Sequence, residues 1–214
     1  MIKYLSYVYP ITRKVSSKYS GCLEITWYNG KKHLNTKNAN YSYGSLQAIL
    51  KFGLEKIDIH QVDSVLLLGL GGGSVIKTLR QDFNYQKQIT AVDIDPVIIE
   101  IAKTEYQLEN NSNTSIICED ALQFIKANTM RFDLIIIDLF IDVTVPKPFL
   151  ELSFWNHVVK SKSTNGVILF NASLEDKKSN QLNAVIDFLK TKVYKVNIFD
   201  NVNNTNTVII SQSL

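Results

Sequence analysis

The sequence predicts an α/β protein: a mostly parallel sheet with helices on both faces, ended by an antiparallel C-terminal hairpin and preceded by a small N-terminal β-hairpin region. Three observations carry this prediction. From Val62 onward, short continuous apolar runs alternate with stretches of helical periodicity, the pattern of strands buried on both faces. The final third departs from that alternation, with two strand-like runs joined by an Asn-rich turn. Before residue 60 the chain carries Tyr- and Thr-bearing stretches that suit a pleated surface. The expected organisation is therefore an N-terminal β-hairpin and helix segment, 1–60, followed by a Rossmann-like α/β domain, 61–214.

In order along the chain, Leu23–Tyr28 and Lys31–Leu34 flank Asn29-Gly30. Both positions of a tight hairpin turn need positive φ, which Asn and Gly tolerate. A helix follows at Tyr43–Leu54, with Leu46, Ile49, Leu50 and Leu54 on one face. Buried strands are expected at Ser64–Leu68, Gln88–Val92, Ser115–Cys118, Leu134–Asp138 and Gly166–Phe170. The helices between and after them are Ser74–Phe83, Pro96–Leu108, Ala121–Ala127, Phe149–Lys160 and Asp176–Thr191. Tyr194–Phe199 and Thr207–Ser211 form the closing hairpin.

Composition narrows the function classes. The 214 residues are 45% hydrophobic and 20% charged, which suits a chain with a full core. No apolar run approaches the roughly 20 residues of a spanning helix, and MIKYLSYVYPITRK lacks the apolar stretch of a signal peptide. Two cysteines, Cys22 and Cys118, are too few for a disulfide framework, so the expected location is cytoplasmic and no membrane is expected as partner. The net charge is +3, and the basic residues are interspersed rather than gathered into a stripe. Nucleic acid is therefore not the expected partner. His33, His60 and His157 show no metal-ligand spacing, so no metal is expected.

In an open α/β sheet, ligands bind beyond the carboxyl ends of the strands. The residues just after each strand are the informative ones. VLLLGLGGGSVIKTL places Gly69, Gly71, Gly72 and Gly73 before a helix, where free N–H groups and the lack of side chains admit a ligand. AVDIDP follows, with Asp93 positioned to accept hydrogen bonds from two ribose hydroxyls. Asp95, before Pro96, reads instead as a helix N-cap. Asp120 in CEDALQFI could accept from an adenine amino group, cap the next helix, or both. FDLIIIDLF ends on Asp138, a carboxylate after four apolar residues that structure alone explains poorly.

That order of motifs resembles the class I S-adenosylmethionine-dependent transferases, and more narrowly their spermidine synthase-like family, over about Val15 to Ala172. The resemblance implies a Rossmann-like class I methyltransferase sheet that binds S-adenosylmethionine or its decarboxylated form as co-substrate. Gly69, Gly71, Gly73, Asp93 and Asp120 would bind that co-substrate. Asp138 takes the place of the catalytic aspartate, with Tyr43 and Asp142 on the acceptor side. The expected partner is a small-molecule acceptor, with an amine as the candidate, and a homodimer is the assembly to test.

Several residues depart from the family's aminopropyl-transferring members. Gly72 stands where they carry an aspartate in the loop, Asp142 comes about one residue late, and Gly44 and Ser45 replace functional side chains after Tyr43. A polyamine needs acids to hold its ammonium groups. Efficient spermidine synthesis is therefore not expected, and either methyl or aminopropyl transfer to an unknown acceptor remains the leading reading. A non-catalytic nucleoside-binding module is the alternative. A nicotinamide-dependent oxidoreductase would also use the glycine loop and Asp93, but leaves Asp120 and Asp138 without a role.

Overall fold

In the computed structural model, residues 2–36, 40–42, 45–108, 113–141, 143–173, 179–192 and 195–213 are described, with backbone alone at 40–42, 45 and 46. The chain begins with a short helix α1 (Ile2–Leu5) and strands β1 (Ile11–Ser17), β2 (Gly21–Tyr28), β3 (Lys31–Asn35) and β4 (Asn40–Ser42). These four strands form an antiparallel sheet in the order β1-β2-β3-β4. Asn29 (φ 48°) and Gly30 (φ 72°) make the expected turn between β2 and β3.

Helix α2 (Ser45–Leu54) leads into the alternating part. It comprises β5 (Ser64–Leu68), α3 (Ser74–Gln81), β6 (Gln88–Asp93), α4 (Pro96–Tyr106), β7 (Thr114–Cys118), α5 (Ala121–Ala127) and β8 (Phe132–Ile137). The chain continues through α6 (Leu152–Ser161), β9 (Lys162–Ser173), α7 (Asn180–Lys192), β10 (Lys195–Val202) and β11 (Asn206–Gln212). The second sheet has seven strands in the order β10-β11-β9-β8-β5-β6-β7. Only β11 runs against the others, pairing antiparallel with both β9 and β10. β5 has β6 on one side and β8 on the other, so the chain's path reverses there. That is where such sheets open a crevice for ligands.

Period-two alternation divides the apolar residues between two layers. On one face, Val65, Leu67, Leu134 and Ile136 pack against Ile49, Leu50 and Leu54 of α2 and Ile76 and Leu79 of α3. On the other, Leu66, Leu68, Ile135 and Ile137 share a cluster with Phe154, Trp155, Leu182 and Val185. The small sheet presents Leu23, Ile25 and Leu34 to Ile98 and Ile101 on the outer side of α4. Helix α2 thus packs on the large sheet, whereas β1–β3 sit on α4.

Differences from the sequence expectation are local. The helix expected from Phe149 begins at Leu152, because Pro146, just before it, and Pro148, within its first residues, favour a 3-10 turn over Lys147–Leu150. Strand β9 starts at Lys162 and extends to Ser173, longer at both ends than the apolar run suggested. The last helix is described from Asn180, and 174–178 lie outside the described residues.

Candidate functional site

The same alternation that builds the core builds the site. On the α2 face, each apolar row runs to one rim of the sheet and ends in a polar residue or glycine. Val65 and Leu67 lead to Gly69, Ile89 and Ala91 to Asp93, and Leu134 and Ile136 to Asp138. Leu169 leads to Asn171 on β9, and on β11, read backwards, Ile210 and Val208 lead to Asn206. A cavity of about 490 Å³ opens there. It is bordered by Gly69, Gly71, Asp93, Asp120, Asp138 and Asn206.

Gly69 is required by close approach. Its φ is +93°, and a Cβ would fall 2.1 Å from the backbone oxygen of Asp138. The adjoining backbone is pinned, because Gly69 N–H donates to Val92 O at 2.9 Å and Asp138 N–H to Leu68 O at 2.8 Å. Gly71 reaches the cavity. Gly73 is placed elsewhere: it precedes α3 with φ 80°, packed so that a Cβ would meet Leu108 Cδ1 at 2.2 Å. It lies outside the cavity wall.

Asp93 is folded onto the glycine loop. Its Oδ2 accepts from the N–H groups of Leu70 (3.0 Å) and Gly71 (3.2 Å), and its Oδ1 from Asp95 N–H (3.0 Å). Burial pushes this carboxyl from 3.8 up to about 6, with the three N–H donors pulling the other way. Asp138 accepts a 2.9 Å bond on Oδ1 from Asn171 Nδ2. Burial pushes it to about 6 too; the Asn171 bond opposes the rise, and the charge of Asp93 adds to it. Asp120, half-buried, caps α5 through Leu122 N–H (2.7 Å) while bordering the cavity, so capping and a place in the cavity wall coexist.

Asp95 is the expected N-cap of α4, accepting from Val97 N–H at 2.9 Å. It is 1% exposed, and its second oxygen accepts from the hydroxyls of Ser17 (2.5 Å) and Ser20 (2.6 Å). This ties the β1–β2 turn to the rim and brings Tyr19 and Ser20 to the cavity. Tyr43 and Asp142, expected on the acceptor side, lie outside the described residues.

The cavity is apolar apart from these groups. Ile94 and Leu139 border it, and Phe140, Val143 and Phe149 line the segment after β8. Among the described residues three acids and no basic side chain line it. No group of three or more metal-ligating side chains occurs among them, and no helix is long and apolar enough to cross a membrane. Sequence reasoning missed Asn171 and Asn206. An asparagine inside VILFNAS was the available signal, since a polar residue amid a buried strand needs a partner.

Residues 47–209 match the family model of the spermine/spermidine synthase domain. A polyamine aminopropyltransferase of Vibrio vulnificus is 29% identical over 112 residues, covering 51% of this chain and 37% of that protein. An eEF1A lysine and N-terminal methyltransferase homolog of Drosophila melanogaster is 27% identical over 121 residues, 52% of this chain and 18% of that one. The chain thus spans well under half the length of either relative. A probable spermidine synthase from Corynebacterium glutamicum superposes with a TM-score of 0.68 at 15% identity, covering 95% of this chain and 77% of that one. Human methyltransferase-like protein 13, in complex with SAH, gives 0.66 at 21% identity, covering 80% and 83%. These two share the fold. The family match, running from α2 into β11 across the whole seven-stranded sheet, makes this chain a member of the spermine/spermidine synthase domain family, within the spermidine synthase-like class I S-adenosylmethionine-dependent transferases.

Proposed function

We propose that the cavity binds S-adenosylmethionine or its decarboxylated form and transfers a methyl or aminopropyl group to a small acceptor, with an amine as the candidate. The observation that carries this reading is electrostatic. Asp93 and Asp138 stand close enough for one charge to raise the other's pKa, and among the described residues no basic side chain bordering the cavity relieves them. Such a pair favours a cation, and a sulfonium is one.

The residues fit an adenosyl ligand. Gly69 and Gly71 leave room at the loop, Asp93 would accept from ribose hydroxyls, and Ile94 and Leu139 offer apolar surface for a base with Asp120 nearby. The co-substrate supplies an electrophilic carbon on a positively charged sulfur. The chain would align the acceptor, whose lone pair forms the new bond to that carbon as the carbon–sulfur bond breaks and its electrons return to sulfur. Asp138 would take the proton that the acceptor gives up; a carboxyl near 6 is largely ionised at neutral pH and suited to that.

Calorimetry from pH 5 to 7.5 with S-adenosylmethionine, its decarboxylated form, uncharged methylthioadenosine and NAD tests the reading. Affinity for the two sulfonium ligands should rise with pH, by up to about tenfold per unit, as the acids ionise. Methylthioadenosine should show a smaller rise, limited to the share that comes from Asp93 and the ribose hydroxyls. A preference for NAD, or pH-independent sulfonium binding, refutes the proposal. Tight sulfonium binding with no turnover of any acceptor would favour the nucleoside-binding module.

A further inference from the structure

We infer that Asn171 and Asn206 are positioning residues that hold the Asp138 carboxylate for the transfer step: Asn206, brought by the C-terminal hairpin, orients the Asn171 amide, and that amide orients Asp138. The inference rests on the reading of Asp138 given above.

Register explains how three distant segments meet. Ile137 of β8 lies beside Phe170 of β9, so the next residues, Asp138 and Asn171, are neighbours. Asn171 pairs with Val208 of β11, which puts Asn206 two residues along on the same face, within diagonal reach. Two bonds connect them: Asn206 Nδ2 donates to Asn171 Oδ1 at 2.8 Å, and Asn171 Nδ2 donates to Asp138 Oδ1 at 2.9 Å. Asn171 is 0% and Asn206 8% exposed, so little water competes for their amides.

The direction of the row follows from its end. An ionised carboxylate only accepts, so Asn171 must turn its NH2 toward Asp138 and its oxygen away. That oxygen, buried, needs a donor, and Asn206 provides one. A reversed Asn171 amide would set oxygen against carboxylate. Asn206 therefore disfavours the reversed state without touching Asp138. With Oδ1 held by Asn171, Asp138 keeps acceptor capacity on Oδ2, to which no other described residue is bonded by a side chain. Such support beyond the acting group is what fixes a functional side chain within a fraction of an ångström.

The titratable groups around Asp138 bear on the test. Asp93 comes from β6, Asp120 from the start of α5 and Tyr19 from the β1–β2 turn, and among them only the charge of Asp93 contributes to the shift at Asp138.

The experiment follows the Asp138 carboxyl directly, by NMR of protein carrying 13C-labelled aspartate, with Asp138→Asn assigning the resonance. In Asn171→Leu the titration should move up by about one to two pH units, the usual worth of a bond to a charged group. In the near-isosteric Asn206→Asp, a carboxylate facing Asn171 should draw its NH2 away from Asp138. This should also raise the Asp138 titration, by about half a unit or more. If Asn171→Leu does not fold, the uncharged Asn206→Ala still decides, with a rise of about half a unit expected, because Asn206→Asp also adds a like charge that raises the titration whatever the Asn171 amide does. A shift below about 0.3 unit in folded Asn206→Ala overturns the inference. Where an acceptor is turned over, kcat should fall with little change in KM for the co-substrate, and the acid limb of the pH profile should move with the NMR titration. A protein that binds no adenosyl ligand but shows the titration shifts refutes the proposed function and leaves the polar row intact.

Discussion

Asp138→Asn should make the protein more stable near neutral pH and progressively lose that advantage in acid. The Asp138 carboxyl is pushed from an ordinary 3.8 to about 6 by burial, opposed by Asn171 and assisted by Asp93. Between those values the folded protein holds a proton that the unfolded chain has released. Raising the pH therefore favours unfolding: the group's contribution is fully present below about 3.8 and is lost as pH passes through about 6. A shift of this size corresponds to about 3 kcal/mol at neutral pH, taken as an upper value. Asparagine keeps the shape, offers an oxygen to Asn171 Nδ2, and carries no charge to desolvate. It also removes the like charge facing Asp93, so the measured difference belongs to the pair. Urea unfolding of both proteins at pH 4.5, 5.5, 6.5 and 7.5 should show the variant gaining on the native chain by up to about 1.4 kcal/mol per pH unit, levelling above pH 7. In a chain of this size a 3 kcal/mol gain appears as roughly 6–12 °C in melting temperature. A pH-independent difference, or a variant that loses ground as pH rises, would refute the burial argument for Asp138.

Other substitutions test separate parts of the site. Asp93→Asn keeps one acceptor oxygen but turns an NH2 toward backbone donors, and should weaken adenosyl binding by about 10- to 100-fold. An unchanged calorimetric dissociation constant would remove Asp93 from the ribose role. Gly69→Ala forces a Cβ to 2.1 Å from Asp138 O at positive φ, and should cost about 3 kcal/mol or more in urea unfolding. A loss under 1 kcal/mol would contradict the packing of the loop on β8. Asp95→Ala removes a helix cap and the shared acceptor of Ser17 and Ser20, and should cost about 2–4 kcal/mol. Faster amide exchange at Tyr19 and Ser20 should accompany that loss, since both N–H groups depend on Ser17 Oγ, and unchanged exchange would argue against the tether.

Much of the fold was legible because buried parallel strands write themselves as apolar runs. Ser64–Leu68 and Ala121–Ala127 match the structure residue for residue. The N-cap role of Asp95 was legible from Pro96, but its tie to Ser17 and Ser20 was not, because those residues lie 78 and 75 positions away. The fold of Asp93 back onto Leu70 and Gly71 was likewise hidden: spacing gives proximity to the loop, not the rotamer. Asn206 was hidden for a different reason. It follows Asn201 at the end of β10 and Asn203 and Asn204 in the turn, all three at positive φ, and composition alone does not separate a turn asparagine from a strand one.

The antiparallel strand is what allows that last asparagine to matter. In a parallel sheet every strand delivers its C-terminal end to one rim, and the starts of strands lie at the other. β11 reverses this: because it runs against β9, its first residues, and the turn before them, arrive at the rim where Asp93 and Asp138 stand. Thr205 and Asn206 border the cavity for this reason. The register between β9 and β11 then decides which side chain faces Asn171. A slip of one residue would turn Asn206 to the opposite face and set its neighbour toward Asn171. That slip would also reverse Val208 and Ile210, which are buried with α2's Ile49 and Leu50 in the core on the α2 face. The apolar residues that specify the register of the last hairpin therefore also specify the polar row that ends on Asp138.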